Sequence, residues 1–508
     1  MMEARRYHPL SILFHLWKLA KNCIFFVIYL FVIKAGSDSS FIVYGRYIFG
    51  LAVGISICSI IFKWLTNKYV LDDRSFHLYK GVFNRSEQTI PFSKIQNVNR
   101  HISVFHRFFK MTSVSFETGM KGEDAAVKFD VISQAEADRI EAYVARINEA
   151  EADGSEEPTA PPKHAENEAS PAIESESTAQ ERTIHFTPTK RDIIKASFTS
   201  LSFLVLIPVI LSFYDKAKDI FNLEEKAGGI LQNILSSKWL IAVIIIAFIT
   251  VSVVFGMVRT FLKYGKYEIS SDPERIYITK GVVEETVFSI SKDRVQAIEI
   301  EQSMLKRWLG LAEVKLISAG SSESNKSMHE INSLYPFLPV KRAYEMVSEI
   351  LPSYQVTHGM NRLPQKALWL RLLRPSWLWI IVTAGLFYFK PTVLKMKEVW
   401  WMLSVALLIL VLVARVLDFL NTRYALNKHF IQMQKGSLTT TLFISKRDKI
   451  IEVKVTQSKL QKLLGLASIG TINRAKPVHH ADVKDVPREL AGAFYRWYIG
   501  RRSEVIAE

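Results

Sequence analysis

KGVVEETVFSISKDRVQAIEIEQSMLKRWLGL, residues 280–311, returns at residues 435–466 as KGSLTTTLFISKRDKIIEVKVTQSKLQKLLGL. Both passages open on Lys-Gly, carry Gln-Ser ahead of a short basic and apolar turn, and close on Leu-Gly-Leu. A more divergent third copy, KGVFNRSEQTIPFSKIQNVNRHISVFHRFFKM, begins at Lys80. Aligned without gaps on Gly81, Gly281 and Gly436, the copies share a basic residue thirteen positions on (Lys94, Arg294, Lys449) and another at twenty-six (Arg107, Arg307, Lys462). Apolar side chains coincide at twenty-four (Phe105, Leu305, Leu460) and at twenty-eight (Phe109, Leu309, Leu464). A tyrosine leads each copy: Tyr69, Tyr267 and Tyr424. Self-similarity of this kind governs the architecture and is read before any single element.

Within a copy, RIYITKGVVEETVFSI and FIQMQKGSLTTTLFI alternate as two strands about a Lys-Gly turn, the glycine supplying the positive φ that a tight turn needs. VQAIEIEQS and IIEVKVTQS alternate as a third strand. LKRWLGLA and LQKLLGLA each make one apolar turn, and EVKLISAG and SIGTINRA read as a further strand. A helix closes each copy, over Ser133 to Ile147, Val340 to Leu351 and Pro487 to Tyr498. Small β-rich units capped by a C-terminal helix fit a pleckstrin-homology-like fold.

Two apolar runs precede every copy. Trp239 to Val258 is twenty residues without a charge, enough at about 1.5 Å per residue to span a hydrocarbon core of roughly 30 Å. Ala196 to Tyr214, Val399 to Ala414, Tyr47 to Phe62 and Pro375 to Phe389 are shorter, and Asn22 to Ile33 spans only if Lys18 and Lys21 snorkel. The chain therefore reads as a multi-pass α-helical membrane protein of three helical hairpins with three β-rich pleckstrin-homology-like domains. The expected boundaries are hairpin 1 at 10–65, repeat 1 at 66–148, a disordered acidic linker at 149–183, hairpin 2 at 190–263, repeat 2 at 264–352, hairpin 3 at 368–420 and repeat 3 at 421–500. An even number of spans ahead of each repeat puts all three on one side. The balance of Lys and Arg at the span ends, with Arg5, Arg6, Lys63, Lys68, Arg259, Lys263, Arg371 and Arg374 on the repeat side, favours the cytoplasm.

The 508 residues suffice for three or more domains, and 49% hydrophobic content requires large buried apolar segments. Net charge is +16, yet residues 149–181 hold ten acidic residues against Lys163 alone, so the remainder stands at +25. That stretch lacks aromatic residues and cannot bury a core. A basic balance suits nucleic acid or an anionic membrane; the apolar runs select the membrane and exclude nucleic acid. Cys23 and Cys58 supply no disulfide framework, and no small-residue cleavage site follows the first run, which reads as a retained anchor. If hairpin 1 is antiparallel, both cysteines are expected toward its cytoplasmic end and within cross-linking reach.

The hairpin-plus-repeat order, the Lys-Gly turn, the ISKDRVQ strand, the QSMLKRWLGLAEV segment and the opening RRYHPLSIL resemble bacterial pleckstrin-homology-like membrane proteins of the YdbS/YdbT type, in the three-repeat YdbT-like form. The resemblance covers nearly all of the chain outside the acidic linker. It implies a bacterial plasma-membrane protein with cytosolic repeats and no defined catalytic activity. Copy one departs from the pattern, with Lys110 where the others have Gly310 and Gly465, which leaves its turn geometry open.

No Walker loop, dinucleotide fingerprint, nucleophile elbow or HExxH motif is present, so no catalytic, cofactor or metal residue is expected. His479-His480 with Asp482 is read as solvated loop, and Arg415 as a structural anchor paired with Asp418. The recurring basic residues are the candidates for headgroup or partner contacts: Lys80, Lys94 and Arg107; Lys280, Arg294 and Arg307; Lys435, Lys449 and Lys462. Solvated surface charge is the plainer account of them. The reading that follows is a non-enzymatic protein whose repeats act as membrane-surface or protein-interaction modules, with the bilayer, anionic headgroups and an unidentified membrane or cytosolic protein as partners. Envelope stress or tolerance of membrane-active peptides is a looser extension. A transporter or flippase-like component working through the hairpins is the alternative. A membrane-anchored enzyme is a third reading without a motif.

Overall fold

The computed structural model describes residues 5–34, 36, 39–72, 74–81, 86–118, 126–152, 182–199, 238–318, 333–354, 356–357, 359–389, 400–475 and 478–503. The linker beyond Ala152 and most of the run Ala196 to Tyr214 lie outside the described residues. Two compact units form, Met1–Arg182 with Tyr277–Ile290, and Thr183–Ile276 with Ser291–Glu508.

In the first unit, β1 (Arg5–Arg6) leads into α1 (Leu10–Val27), which continues as one wider π-helical stretch to Ile33, and α2 (Ser40–Thr66). The strands β2 (Lys68–Leu71), β3 (Ser75–Lys80), β4 (Ser86–Pro91) and β5 (Ile95–Ile102) follow. A single-turn helix α3 (Val104–Phe108), β6 (Met111–Thr118), β7 (Ala126–Ser133) and α4 (Gln134–Ala152) complete the repeat. One sheet runs β1-β2-β3-β4. Phe76 of this sheet, Phe92 of the turn after β4, and Phe116 and Phe129 of the neighbouring β5-β6-β7 strands point into one core with Ile140 and Val144 of α4. Full burial of each such ring is worth roughly 1.5–3 kcal/mol.

The second unit holds β8 (Thr183–Phe186), α5 (Lys190–Thr199), α6 (Lys238–Tyr264) and β9 (Glu268–Ser271). Repeat 2 continues through β10 (Arg275–Lys280), β11 (Glu285–Ser291), β12 (Val295–Gln302), α7 (Met304–Trp308), β13 (Leu311–Ser318), β14 (Ser333–Pro339) and α8 (Val340–Ile350). Repeat 3 comprises β15 (Asn361–Arg362), α9 (Gln365–Leu373), α10 (Trp377–Phe389), α11 (Trp400–Asn421), β16 (Arg423–Leu426), β17 (Phe430–Lys435), β18 (Thr440–Lys446) and β19 (Ile450–Thr456). It ends with α12 (Lys459–Leu464), β20 (Leu466–Asn473), β21 (His479–Pro487) and α13 (Arg488–Ile499).

Four helical stretches among the described residues are long and apolar enough to cross a membrane: Leu10–Val32, Ser40–Thr66, Gln365–Phe389 and Trp400–Asn421. The helix α6 carries the uncharged run from Trp239. The first pair is antiparallel, with Phe26 against Phe49 and the Arg46 Nε donating to the Leu30 carbonyl at 3.1 Å. The third is likewise, with Thr383 and Ser404 hydroxyls 2.7 Å apart and Phe387 on Trp400.

Two features of the sheets were not expected from the sequence. The strand ahead of each hairpin pairs antiparallel with the strand after it: Arg5 with Tyr69, Ile184 with Ser270, Asn361 with Tyr424. The segment between them, an antiparallel helix pair in repeats 1 and 3, is thus an insertion between two neighbouring strands. Furthermore, the repeats share sheets. In the first unit β5 of repeat 1 pairs with β11 of repeat 2, and in the second β12 of repeat 2 pairs with β18 of repeat 3.

Candidate functional site

The Lys-Gly turns come first. Gly81, Gly281 and Gly436 have φ of 118°, 99° and 122°. A Cβ on Gly281 would stand 1.9 Å from the Glu284 carbonyl oxygen, and one on Gly436 1.9 Å from that of Thr439, so the motif is set by sterics as well as φ. The turn abuts the hairpin exit. The Gly81 amide donates to Asn67 Oδ1 (3.3 Å), the Gly436 amide to Asp418 Oδ1 (3.0 Å), and Asn421 Nδ2 donates to the Gly436 carbonyl (3.0 Å).

The single-turn helices are started by serine caps: Ser103, Ser303 and Ser458 each accept from the backbone amide three residues on. They are followed by left-handed residues, Gly310 (φ 65°), Gly465 (φ 70°) and, in copy one, Lys110 (φ 53°). Lys110 therefore keeps the turn geometry of the glycines, in a conformation that costs a side-chain-bearing residue roughly 1–2 kcal/mol. The helix α3 lies against the start of α1, where Phe14 packs on Phe105 (5.4 Å) and His106 (4.8 Å). In repeat 3, α12 is tied to α9 through Gln461 and Arg371, which both bond Asp485.

At position twenty-seven, inside these helices, stand Phe108, Trp308 and Leu463, exposed by 81%, 80% and 83%. Sequence reasoning passed over them. The signal was a turn with apolar residues at twenty-four, twenty-seven and twenty-eight, more than a single turn can bury on one flank.

The nine basic positions divide by environment. Arg107 donates to the Val282 carbonyl (3.0 Å) and lies 3.7 Å from Glu285, so it grips the next copy's turn. Arg307 bonds the Thr440 hydroxyl (2.9 Å), the corresponding element of repeat 3. Lys449 donates back to the Asp293 carbonyl (3.2 Å). Lys80 reaches Gln88 (3.4 Å), Lys435 reaches Asp482 (2.6 Å), and Lys280 lies 5.3 Å from the Phe288 ring centroid. Lys94, Arg294 and Lys462 are exposed, and among the described residues their side chains have no hydrogen bond or ion pair.

The hairpins are locked to the repeats by charge. In repeat 3, Asp485 is fully buried, with φ 66°, and accepts from Arg371 Nε (3.3 Å), Arg374 Nη2 (2.6 and 2.9 Å) and Gln461 Nε2 (2.9 Å). Arg371, 6% exposed, also binds Asp418 (2.7 Å). In repeat 1, Asp130 takes His15 of α1 (3.5 Å) and Lys128 (3.2 Å). Burial alone would raise the Asp130 carboxyl; the His15 hydrogen bond and the Lys128 charge outweigh it and hold the group at about 2.

Three expectations are corrected. Arg415 does not pair with Asp418. Its guanidinium caps the end of α9, donating to the carbonyls of Arg371, Leu372 and Arg374 and to Ser376 Oγ, while Asp418 serves Arg371 and the Gly436 turn. His479 and His480 lie in β21 and not in a loop; His479 pairs with Glu299 of repeat 2 (3.0 Å) and stacks on Phe443. Cys23 and Cys58 are free and offset. Carried along the pair from Phe26–Phe49 and Leu30–Arg46, the register sets Cys23 opposite Ala52 or Val53, five to six residues short of Cys58, an axial offset of about 7.5–9 Å at about 1.5 Å per residue that exceeds the roughly 7 Å Cα reach of a disulfide.

A β-rich unit with a Lys-Gly turn at the hairpin exit, built three times, is the pattern of a membrane-anchored bacterial PH protein. The chain belongs to the bacterial PH domain family, which matches it over residues 24–147, 205–353 and 379–502. It is similar to the UPF0699 transmembrane protein YdbT of Bacillus subtilis (strain 168), 24% identical over 513 residues, covering 98% of each chain. No solved structure matches it.

Proposed function

We propose that the protein is a non-enzymatic, multi-pass platform of the bacterial plasma membrane, whose three cytosolic PH-like repeats engage the inner surface of the bilayer and present their remaining faces to a protein partner. The observation that carries this reading is the recurrence of Phe108, Trp308 and Leu463, each exposed on a single-turn helix beside a basic residue. In repeats 1 and 3 that helix adjoins the lead-in of a membrane-spanning pair, which supports a position near the interfacial layer. An apolar side chain dipped there with a cation beside it suits the headgroup boundary. Exposed Lys94, Arg294 and Lys462 add attraction for anionic lipid, about 1 kcal/mol per charge near the surface.

Three hairpins, six spans and one-sided repeats accord with the pairing of the flanking strands. A segment whose two ends are hydrogen-bonded neighbours returns to the side it left. Arg415, consumed in capping α9, gives no support to a transport path through the third hairpin.

The test is depth measurement on the full chain in proteoliposomes of phosphatidylglycerol and phosphatidylethanolamine. Nitroxides replace Phe108, Trp308 or Leu463 in a background with Cys23 and Cys58 changed to serine. All three labels are expected to be relaxed more by oxygen than by a water-soluble nickel chelate. The contrast should weaken when Lys94, Arg294 and Lys462 are changed together to Gln. Labels relaxed mainly by the nickel chelate in the parent protein sink the surface-engagement reading.

A further inference from the structure

We infer that β19 at the end of repeat 3 is a docking edge for β4 of a second copy of this chain, so that the protein assembles head to tail through its repeats. The two internal seams define what belongs on such an edge. In the first, Ile102 pairs with Glu285; in the second, Gln302 pairs with Thr440. Both pairs join the residue twenty-one places after one repeat's glycine to the residue four places after the next repeat's glycine. Two seams with one register are one interface used twice.

Three repeats joined by two such seams leave one half of that interface over on the first repeat and the other half on the third. The strand equivalent to β5 and β12 in repeat 3 is β19, which borders a three-stranded sheet β19-β20-β21. The strand equivalent to β11 and β18 in repeat 1 is β4, the border of β1-β2-β3-β4. Among the described residues no strand pairs with the outer edge of either. Exposure agrees. The strand β12 is largely buried, whereas Ile451, Glu452, Lys454, Val455 and Thr456 of β19 are exposed, as are Ser86, Glu87, Thr89 and Pro91 of β4.

The chemistry of β19 fits a strand partner. Ile450, Ile451, Val453, Val455 and Thr456 are β-branched, no proline interrupts them, and an uncovered edge of this kind is a template for pairing. The latch is open as well. Arg107 and Arg307 each bond the following repeat, while Lys462 at the same position is exposed and unengaged among the described residues. Extending the shared register sets Thr456 opposite Ser86, Val455 opposite Glu87 and Val453 opposite Thr89. A head-to-tail contact of this type is heterologous and builds rings or open chains. Anchoring both copies in one bilayer raises their effective concentration.

The test uses two differently tagged full-length chains, both with Cys23 and Cys58 changed to serine, one carrying Val455→Cys and the other Glu87→Cys, co-expressed and oxidised in native membranes. The expected result is a disulfide dimer bearing both tags, with no dimer of either variant with itself. Val455→Glu, which opposes Glu87, should reduce the association severalfold, and Glu87→Lys in the same chain should restore it. Both positions are exposed, so the variants keep their fold. Absence of the mixed dimer overturns the inference. So does a disulfide formed within one chain carrying both cysteines, capture of a different protein by the Val455→Cys chain, or a like-with-like dimer.

Discussion

Arg371→Met is the sharpest probe of how the third hairpin is held to its repeat. Methionine keeps most of the apolar stem and removes the guanidinium that binds Asp485 (3.3 Å), Asp418 (2.7 Å) and Thr422 (3.1 Å). Asp485 is then left fully buried with Arg374 and Gln461 only. Breaking a buried pair by deleting one partner typically costs about 3–5 kcal/mol, because the survivor's charge stays out of water. For a domain of this size, a urea dependence of roughly 2 kcal/mol per molar converts that to a midpoint lowered by about 1.5–2.5 M. Pulse proteolysis of the full chain in detergent, read on a C-terminal tag, reports the unfolding of repeat 3 separately from the other repeats. Adding Asp485→Asn, which tolerates the positive φ and removes the stranded charge, should cost less than the sum of the single variants by at least about 1 kcal/mol. A shift below about 0.5 M for Arg371→Met, or strict additivity of the pair, would refute the argument that this network locks hairpin to repeat.

Gly281→Ala and Gly436→Ala drive a Cβ to 1.9 Å from a backbone oxygen and should abolish accumulation of folded protein, measured as monodisperse fluorescence-tagged material in detergent; normal yields would contradict the turn assignment. Asp130, with its folded-state pKa depressed from 3.8 to about 2, contributes stability that is complete above about pH 4 and is lost as pH falls through about 2. Asp130→Asn should flatten that dependence in acid-titrated proteolysis of repeat 1, and an unchanged acid limb would remove the His15–Asp130 anchor from the account.

The sequence carried what is local. Period-two alternation on either side of Lys-Gly located β10 with β11 and β17 with β18, and the closing helices emerged within a few residues of their expected limits. What it lacked was non-local. Alternation says which face of β5 is buried but not which strand lies beside its edge, so the sharing of sheets between repeats was invisible. Asp485 and Arg371 stand 114 residues apart and look like ordinary charges until β21 and α9 meet. Lys110 looked like a departure from the glycine pattern, yet the backbone takes the same left-handed turn. Arg107 and Arg307 stood out because they recur, but the sequence could not show that each bonds the following repeat across a shared sheet.

Triplication itself follows from where the hairpins are inserted. The chain enters α1 three residues after β1 and leaves α2 for β2 through Asn67 alone, and β1 and β2 are hydrogen-bonded neighbours. In repeat 3, Arg362 pairs with Arg423 across the third hairpin in the same way. Paired strands stand about 4.8 Å apart and packed helices about 8–10 Å apart, so short connections suffice to join one pair to the other. The hairpin is therefore the loop between two strands of the repeat, and copying the sheet copies the anchor with it. Each added repeat gains an insertion between two of its strands, an exposed apolar residue on its single-turn helix and one more edge for the next copy's β-strand.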